Sequence, residues 1–260
     1  MTHPDLHLDI RGEFNEIAVI RLTRPAKRNA LNDGLILAIQ RTFESLPSTV
    51  RAAVIDGEGD HFCAGLDLSE LSERDAGQGV YHSRMWHAAL ERVQFGPVPV
   101  VAALHGAVVG GGLELASACH IRVADSTTFY ALPEGSRGIF VGGGGAVRIP
   151  RLIGAARMAD MMFTGRVYNA EDGERIGMAQ YLVPQGTAFD KAVELATRIA
   201  QNAPLTNYAL MHALPRIAEQ PSDQGFFTEA MMAAIAQSAP EAKQRVRDFL
   251  EGRAAKVQKA

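Results

Sequence analysis

The sequence has few of the features that mark secreted, membrane-spanning or nucleic-acid-binding proteins. Its 260 residues contain two cysteines, Cys63 and Cys119, which are too few for a disulfide framework, so we expect reduced thiols and a cytoplasmic location. The formal net charge is only −3, which gives no electrostatic reason to expect nucleic acid or an anionic membrane as a partner. The first residues also lack the basic and apolar stretches of a signal peptide.

Long hydrophobic runs are absent as well. The most apolar stretch, residues 97–112, contains His105, two prolines and four glycines, and it falls short of the ~18 uninterrupted apolar residues that a membrane span needs. We interpret it as buried strands followed by a helix, and His105 as a hydrogen-bonded core residue. Because 47% of the chain is hydrophobic, it is able to bury a large core.

Known metal-binding and nucleotide-binding patterns are missing too. The pairs His61–Cys63 and Cys119–His120 have neither HExxH nor CxxC spacing, so we predict no metal site. The glycine run 142–145 fits neither the GxxxxGKS/T phosphate loop nor the GxGxxG dinucleotide pattern, and we interpret it as a structural loop. There is also no GxSxG nucleophile motif.

Hydrophobic periodicity predicts an α/β fold in which strands alternate with helices as far as Pro150 and helices alone follow. Strands are expected at 17–22, 52–56, 98–104, 107–109 and 121–124, and helices at 32–46, 80–93, 112–119, 154–163, 187–202, 204–219, 225–238 and 240–253. Residues 72–79 are polar and contain glycine, which indicates a mobile loop. Trp86 lies on the apolar face of the 80–93 helix and is interpreted as a core residue. We expect a core domain over residues 1–200 and a helical region over residues 201–260.

Two segments share one pattern, in which an apolar stretch is followed by glycine and then by the expected start of a helix. They are residues 62–67 and 108–114. Glycine lets a ligand approach the backbone closely, and a helix start leaves N–H groups without an intrahelical acceptor. Two such segments could supply two converging donors for a developing anion. The alternative is that they are two unrelated turns of an α/β fold.

Two glutamates, Glu114 and Glu134, lie 20 residues apart in largely apolar segments. A carboxylate is costly to bury, so its presence on such a segment favours a chemical role over a structural one. Proton transfer is the role that a pair of carboxyl groups would serve.

Taken together and in order, these segments resemble the crotonase (enoyl-CoA hydratase/isomerase) superfamily. The resemblance covers roughly residues 13–253 and rests on residues 24–32, 62–68, 105–116, 132–134, 142–148 and 162–166. It implies a spiral of ββα turns and a C-terminal helical region that packs across subunits. It also implies a homotrimer or dimer of trimers, an acyl-CoA substrate, no metal and no separate cofactor, because coenzyme A is part of the substrate.

Carried over by position, the resemblance assigns roles to individual residues. The backbone N–H groups of Leu66 and Gly111 would form the oxyanion hole, and Glu114 and Glu134 would be the catalytic carboxyl groups. Four residues fall where family members contact coenzyme A or the thioester: Arg28, Ala30, Ala64 and Asp67.

The pair of glutamates favours an enoyl-CoA hydratase, which adds water across the 2,3 double bond. Isomerisation, thioester hydrolysis and carbon–carbon cleavage within the same superfamily remain alternatives, as does a non-catalytic scaffold. The sequence departs from the family pattern at Val141, where many members have proline, and in its tail, which lacks the usual Pro-x-Phe. Residues 135–137 are unusually polar, which indicates a substituted or polar acyl group.

Overall fold

The structure, a computed structural model, describes residues 3–70 and 73–253, which form two compact units. The first unit ends at Ala200 and the second begins at Gln201. The first contains the strands β1 (Leu6–Arg11), β2 (Ile17–Leu22), β3 (Ala52–Gly57), β4 (Val100–Leu104), β5 (Ala107–Val109), β6 (Ile121–Asp125), β7 (Phe129–Ala131), β8 (Tyr168–Asn169) and β9 (Tyr181–Val183). Its α-helices are α1 (Asp33–Glu44), α2 (Ala76–Gln94), α3 (Gly111–Ala118), α4 (Gly145–Ile153), α5 (Ala155–Thr164), α6 (Ala170–Ile176) and α7 (Ala188–Ala200). Short 3₁₀ helices cover Pro25–Lys27, Leu68–Glu70 and Gly135–Arg137.

Two sheets organise the first unit. The larger has the order β1-β2-β3-β4-β6-β9, in which β1 pairs antiparallel with β2 and every other pair is parallel. The smaller has the order β5-β7-β8, with β5 parallel to β7 and β8 antiparallel to it. Parallel strands need helical crossovers, and those helices cover both faces of the sheet.

The large sheet is buried on both faces, which explains its continuous apolar strands. Alternate side chains point to opposite faces of a strand. Ile20 and Ile55 thus pack in one core cluster with residues of α1, α2 and α3, whereas Val19 and Val54 pack in a second cluster with α7. The predicted α/β fold follows from this layering.

The two glycine-containing segments of the sequence meet at the edge between the sheets. Cys63 forms a parallel bridge with Val108 of β5, and Leu66 forms one with Leu31. A Cβ at Gly112 would lie only 2.3 Å from the Cys63 carbonyl oxygen, so only glycine lets α3 start this close to residue 63. The fold therefore brings residues 62–67 against the N-terminus of α3.

The second unit consists of α8 (Pro204–Tyr208), α9 (Leu214–Ile217), α10 (Ser222–Ser238) and α11 (Pro240–Leu250), with a π-helix over Ala209–Ala213. It exposes several large apolar side chains: Phe226, Phe227, Met231, Ile235, Phe249 and Leu250. Within the described part of the chain, no helix is both long and apolar enough to cross a bilayer.

Three sequence-based expectations about elements were wrong. Residues 76–79 belong to helix α2 and not to a loop, because Asp75 and Gln78 form a reciprocal capping box; Ser72 lies outside the described residues. The stretch after Pro150 contains β8 and β9 as well as helices, since strands of two or three residues are too short to show a period. The helix expected at 204–219 is divided by the π-helix.

Candidate active site

Two backbone amides, those of Leu66 and Gly111, lie near one another where residues 65 and 66 pass the start of α3. Hydrogen bonds from the Leu31 amide to the Gly65 carbonyl (2.7 Å) and from the Asp67 amide to the Leu31 carbonyl (2.8 Å) form an isolated parallel bridge between residues 31 and 66. In a parallel bridge successive N–H groups point to opposite sides, so the Leu66 amide points away from residue 31. The nitrogen of Leu66 lies 3.4 Å from the position that a Cβ would occupy at Gly111.

The second amide belongs to Gly111, the first residue of α3. The first N–H groups of a helix have no intrahelical acceptor, and the helix dipole places partial positive charge there. Gly65 has a left-handed φ of +95°, which turns the chain so that its backbone passes beside the Gly111 nitrogen. Among the described residues, neither the Leu66 nor the Gly111 amide donates to a protein acceptor. Two donors are thus available to a ligand oxygen.

Glu114 lies one helical turn after Gly111 and is buried. Its Oε1 accepts hydrogen bonds from the amides of Gly143 and Gly145, both 2.8 Å long. Burial raises the pKa of Glu114, while those amides and the charge of Arg148 oppose the increase. The glycine run that we interpreted as a structural loop thus holds the carboxyl group of a residue of the same chain.

Glu134 follows β7 and is also buried. Its Oε1 lies 2.7 Å from the position of a Cβ at Gly110, and its Oε2 has no hydrogen-bond partner among the described residues. Burial raises its pKa, and the negative charge of Glu114 raises it further, against the lowering effects of its own backbone amide and of Arg137. A buried carboxyl oxygen without a partner is unusual, and this makes Glu134 Oε2 a candidate for contact with a ligand.

The residues expected to contact coenzyme A lie on the segment next to Leu66. The Ala64 amide donates to the Arg28 carbonyl (2.9 Å), which keeps the two segments together. Arg28 has an exposed side chain, whereas Ala30 is buried. The buried Asp67 carboxylate forms an ion pair with Arg24 at 2.7 Å and accepts from the Ser69 hydroxyl at 2.6 Å, contacts that help to hold this segment in place.

Two residues near Glu114 and its glycine loop, Arg148 and Trp86, were not assigned to the site from the sequence. Arg148 donates to the Gly143 carbonyl (3.1 Å) and to Gln94 (2.6 Å), and so supports the loop that holds Glu114. Trp86 belongs to the core, as expected, but its ring also lies beside Gly111 and Gly143. The sequence does offer one indication for Trp86: a tryptophan expected in the core needs a hydrogen-bond acceptor for its indole N–H, so a polar partner nearby could have been expected.

The His, Cys, Asp and Glu side chains were also examined as metal ligands. Within residues 3–70 and 73–253, no group of three or more His, Cys, Asp or Glu side chains could hold a metal ion. Cys63 and Cys119 are free and buried, and burial raises the pKa of each thiol to about 12. Neither thiol is therefore suited to act as a nucleophile at neutral pH.

Comparison with known proteins identifies the family. A family model for enoyl-CoA hydratase/isomerase matches residues 12–259. The human mitochondrial enoyl-CoA hydratase domain-containing protein 2 is 33% identical over 254 residues, or 95% of this chain and 84% of that protein. A 2,3-dehydroadipyl-CoA hydratase from Escherichia coli is 29% identical over 241 residues, which cover 91% and 93% of the two chains.

Solved structures agree in fold. A chain from Rhodopseudomonas palustris, provisionally described as an enoyl-CoA hydratase, is 58% identical, with a TM-score of 0.92 and 95% of each chain covered. An enoyl-CoA hydratase from Bacillus anthracis is 28% identical, with a TM-score of 0.88 over 96% of this chain and 97% of that one. These matches confirm the expected crotonase-like α/β fold with a C-terminal helical region. The chain belongs to the enoyl-CoA hydratase/isomerase family of the crotonase superfamily.

Proposed function

We propose that this protein is an enoyl-CoA hydratase, which adds water across the 2,3 double bond of an enoyl-CoA thioester. The observation that carries the proposal is the meeting of two unused amides, Leu66 and Gly111, with two buried glutamates. Family membership supports an acyl-CoA substrate, because the relatives named above act on, or are named for, enoyl-CoA compounds.

The chemistry begins at the thioester oxygen, which would accept hydrogen bonds from both amides. When the oxygen of water attacks C3 and the water gives up a proton to a base, the electron pair of the double bond moves through C2 to the thioester oxygen and forms an enolate. Preorganised donors stabilise the charge where it develops, and the loss of one donor typically costs ~3 kcal/mol in the barrier. The enolate then returns to the thioester as C2 takes a proton.

The surroundings of the two glutamates suit opposite tasks. The Gly143 and Gly145 amides on Oε1 of Glu114 favour its ionised form, and Oε2 stays available to take a proton from water. The buried Oε2 of Glu134 has no donor to stabilise a charge, and the neighbouring Glu114 favours the protonated form. We therefore assign Glu114 as the base and Glu134 as the acid that protonates C2.

The proposal is tested by mixing the protein with crotonyl-CoA while the enoyl absorbance and free thiol are followed in parallel. Loss of absorbance without thiol release is the expected result. Thiol release would identify a thioester hydrolase instead, and migration of the double bond in a 3-enoyl-CoA without net hydration would identify an isomerase. A protein that neither binds nor changes any acyl-CoA would be the non-catalytic scaffold.

We further propose that the protein assembles as a homotrimer or a dimer of trimers and acts in the cytoplasm without a metal or a separate cofactor. The exposed apolar side chains of α10 and α11, such as Phe226 and Phe249, support assembly, because patches of this kind commonly mark interaction surfaces. Analytical ultracentrifugation of the full chain would measure the assembly directly, and a monomer at micromolar concentration would contradict it.

A further inference from the structure

The indole ring of Trp86 borders both halves of the proposed catalytic machinery. If Gly111 carried a Cβ, that atom would lie 3.4 Å from Cζ3 of Trp86 and 3.4 Å from the nitrogen of Leu66. Cε3 of the same ring lies 3.3 Å from the position of a Cβ at Gly143, and Glu114 Oε2 lies 3.1 Å from that second point. One edge of the ring therefore lies against both Gly111 and Gly143, next to the groups to which the proposed function assigns the oxyanion hole and the base.

The position of this ring depends on a residue outside the site. Trp86 Nε1 donates to Asp33 Oδ1 at 3.0 Å, and Asp33 is the first residue of α1. The indole is buried, and a buried N–H needs an acceptor, which the partly exposed Asp33 carboxylate supplies. Asp33 thereby fixes the rotation of Trp86 within helix α2.

Asp33 is itself held from two directions. His82 lies one turn before Trp86 on α2, and its Nε2 is 2.7 Å from Asp33 Oδ1; because a carboxylate can only accept, His82 is the donor. Arg74 lies 3.7 Å from Oδ2. Although burial opposes ionisation, the hydrogen bonds from Trp86 and His82 and the charge of Arg74 hold the pKa of Asp33 below its usual value. The acceptor is thus a fixed carboxylate.

From this geometry we infer that Asp33 is a positioning residue for the reaction and acts through the Trp86 indole. The inference rests on the proposed function, since the groups that Trp86 borders are the proposed oxyanion amides and base. A rotated indole would enter the space between Gly111 and Gly143 or leave it open to water. Small displacements of this kind lower turnover far more than they lower binding, and a 1 Å error in placement can cost on the order of 10²-fold.

The test combines kinetics with the fluorescence of the protein's one tryptophan, whose emission reports Trp86 alone. In Asp33→Ala we expect kcat for crotonyl-CoA to fall by about tenfold with little change in KM, and the emission of the free protein to shift. Asp33→Asn keeps an oxygen acceptor and should restore most of kcat and of the emission. Trp86→Phe should lose a similar factor, and adding Asp33→Ala to it should cost little more, because the two residues act as one unit.

A matched control is Glu44→Gln, which removes a second ion pair between α1 and α2, Glu44 with Arg92 at 3.1 Å, at the far end of the same helices. It should behave as wild type. If wild type hydrates crotonyl-CoA but Asp33→Ala has the same kcat and emission as wild type, the positioning role of Asp33 is wrong and the proposed function still stands. Losses that simply add in the double variant, or a Glu44→Gln defect equal to that of Asp33→Ala, would also overturn the positioning role.

The failure of the proposed function would look different. Butyryl-CoA has no double bond to hydrate, so it reports binding without turnover. If wild type neither hydrates crotonyl-CoA nor changes its emission with butyryl-CoA, both conclusions fall. If butyryl-CoA changes the emission of wild type but crotonyl-CoA is not hydrated, the protein binds acyl-CoA without hydrating it, and the positioning role of Asp33 in that reaction falls with the proposed function.

Discussion

Replacing Glu114 separates its chemical task from its structural one. In Glu114→Gln the side-chain oxygen can still accept from the Gly143 and Gly145 amides, which lie 2.8 Å from Oε1. The variant keeps the glycine loop but loses the base. We therefore expect turnover of crotonyl-CoA to fall by about 10²- to 10⁴-fold, the usual scale of acid–base catalysis, with a change of less than about 1 kcal/mol in the free energy of unfolding.

Glu114→Ala removes the acceptor as well and leaves two buried N–H groups without a partner. Each unsatisfied buried group costs about 1–3 kcal/mol, so the free energy of unfolding should fall by about 2–6 kcal/mol. That is a large share of the 5–15 kcal/mol typical of a folded domain. The side chain is buried, so solvent screening does not reduce the effect.

Urea denaturation followed by circular dichroism measures the stability of both variants, and loss of the enoyl absorbance measures their turnover. The reasoning would be refuted if Glu114→Gln lost as much stability as Glu114→Ala, since the two amides would then require a charge and not just an acceptor. It would also be refuted if Glu114→Gln kept near wild-type turnover.

Three further changes test other parts of the structure. Glu134→Gln should cut turnover at least ~10²-fold. Because the pKa of Glu134 is raised above 4.5 in the folded state, ionisation of this carboxyl group destabilises wild type at high pH, and the variant should be the more stable protein above that raised pKa. Urea titrations should show this gain in stability fading as the pH falls towards 4.5. Gly112→Ala would place a Cβ 2.3 Å from the Cys63 carbonyl oxygen and should cost about 1–3 kcal/mol, whereas Gly79→Ala, with no heavy atom within 4 Å of its Cβ, should stabilise α2 by about 0.5–1 kcal/mol; equal unfolding midpoints would contradict both. Asp75→Ala should cost about 1 kcal/mol by removing the cap of α2, and an unchanged thermal midpoint would argue against the capping box.

Elements with a long, uninterrupted hydrophobic period were predictable from sequence. Strand β2 was expected at residues 17–22 and occupies Ile17–Leu22. Helix α1 was expected at residues 32–46 and occupies Asp33–Glu44, with the Asn32 side chain accepting from the Leu35 amide as its cap. In both cases neighbouring residues determine the outcome, because the period and the cap lie within the element itself.

Elements that depend on distant partners were not predictable in this way. Strands β7 and β8 have three and two residues and exist only because β7 pairs with β5 on one side and with β8 on the other. Helix α4 begins in the glycine run and contains Pro150, and both features argue against a helix when the sequence is considered alone. Tertiary contacts outweigh local preference at these places.

The candidate site shows the same division. Glu114 and Glu134 could be selected from sequence because a charged residue on an apolar segment stands out. The partners of Glu114 could not, because the groups that hold it are backbone amides and every residue except proline has one. The geometry at Trp86 likewise depends on Asp33, a residue of another helix whose role no local pattern indicates.

Because both proposed oxyanion donors are main-chain groups, their chemistry does not depend on which side chains residues 66 and 111 carry. Mutation can alter the leucine at 66 to suit a different substrate while the electrostatic field at the thioester oxygen persists, as long as the chain keeps its path. What selection must preserve is therefore the path of the backbone, which depends on residues such as Gly65 and Gly112, where a side chain would collide with neighbouring carbonyl oxygens. New substrate preferences can then arise on this scaffold without rebuilding the part that stabilises charge.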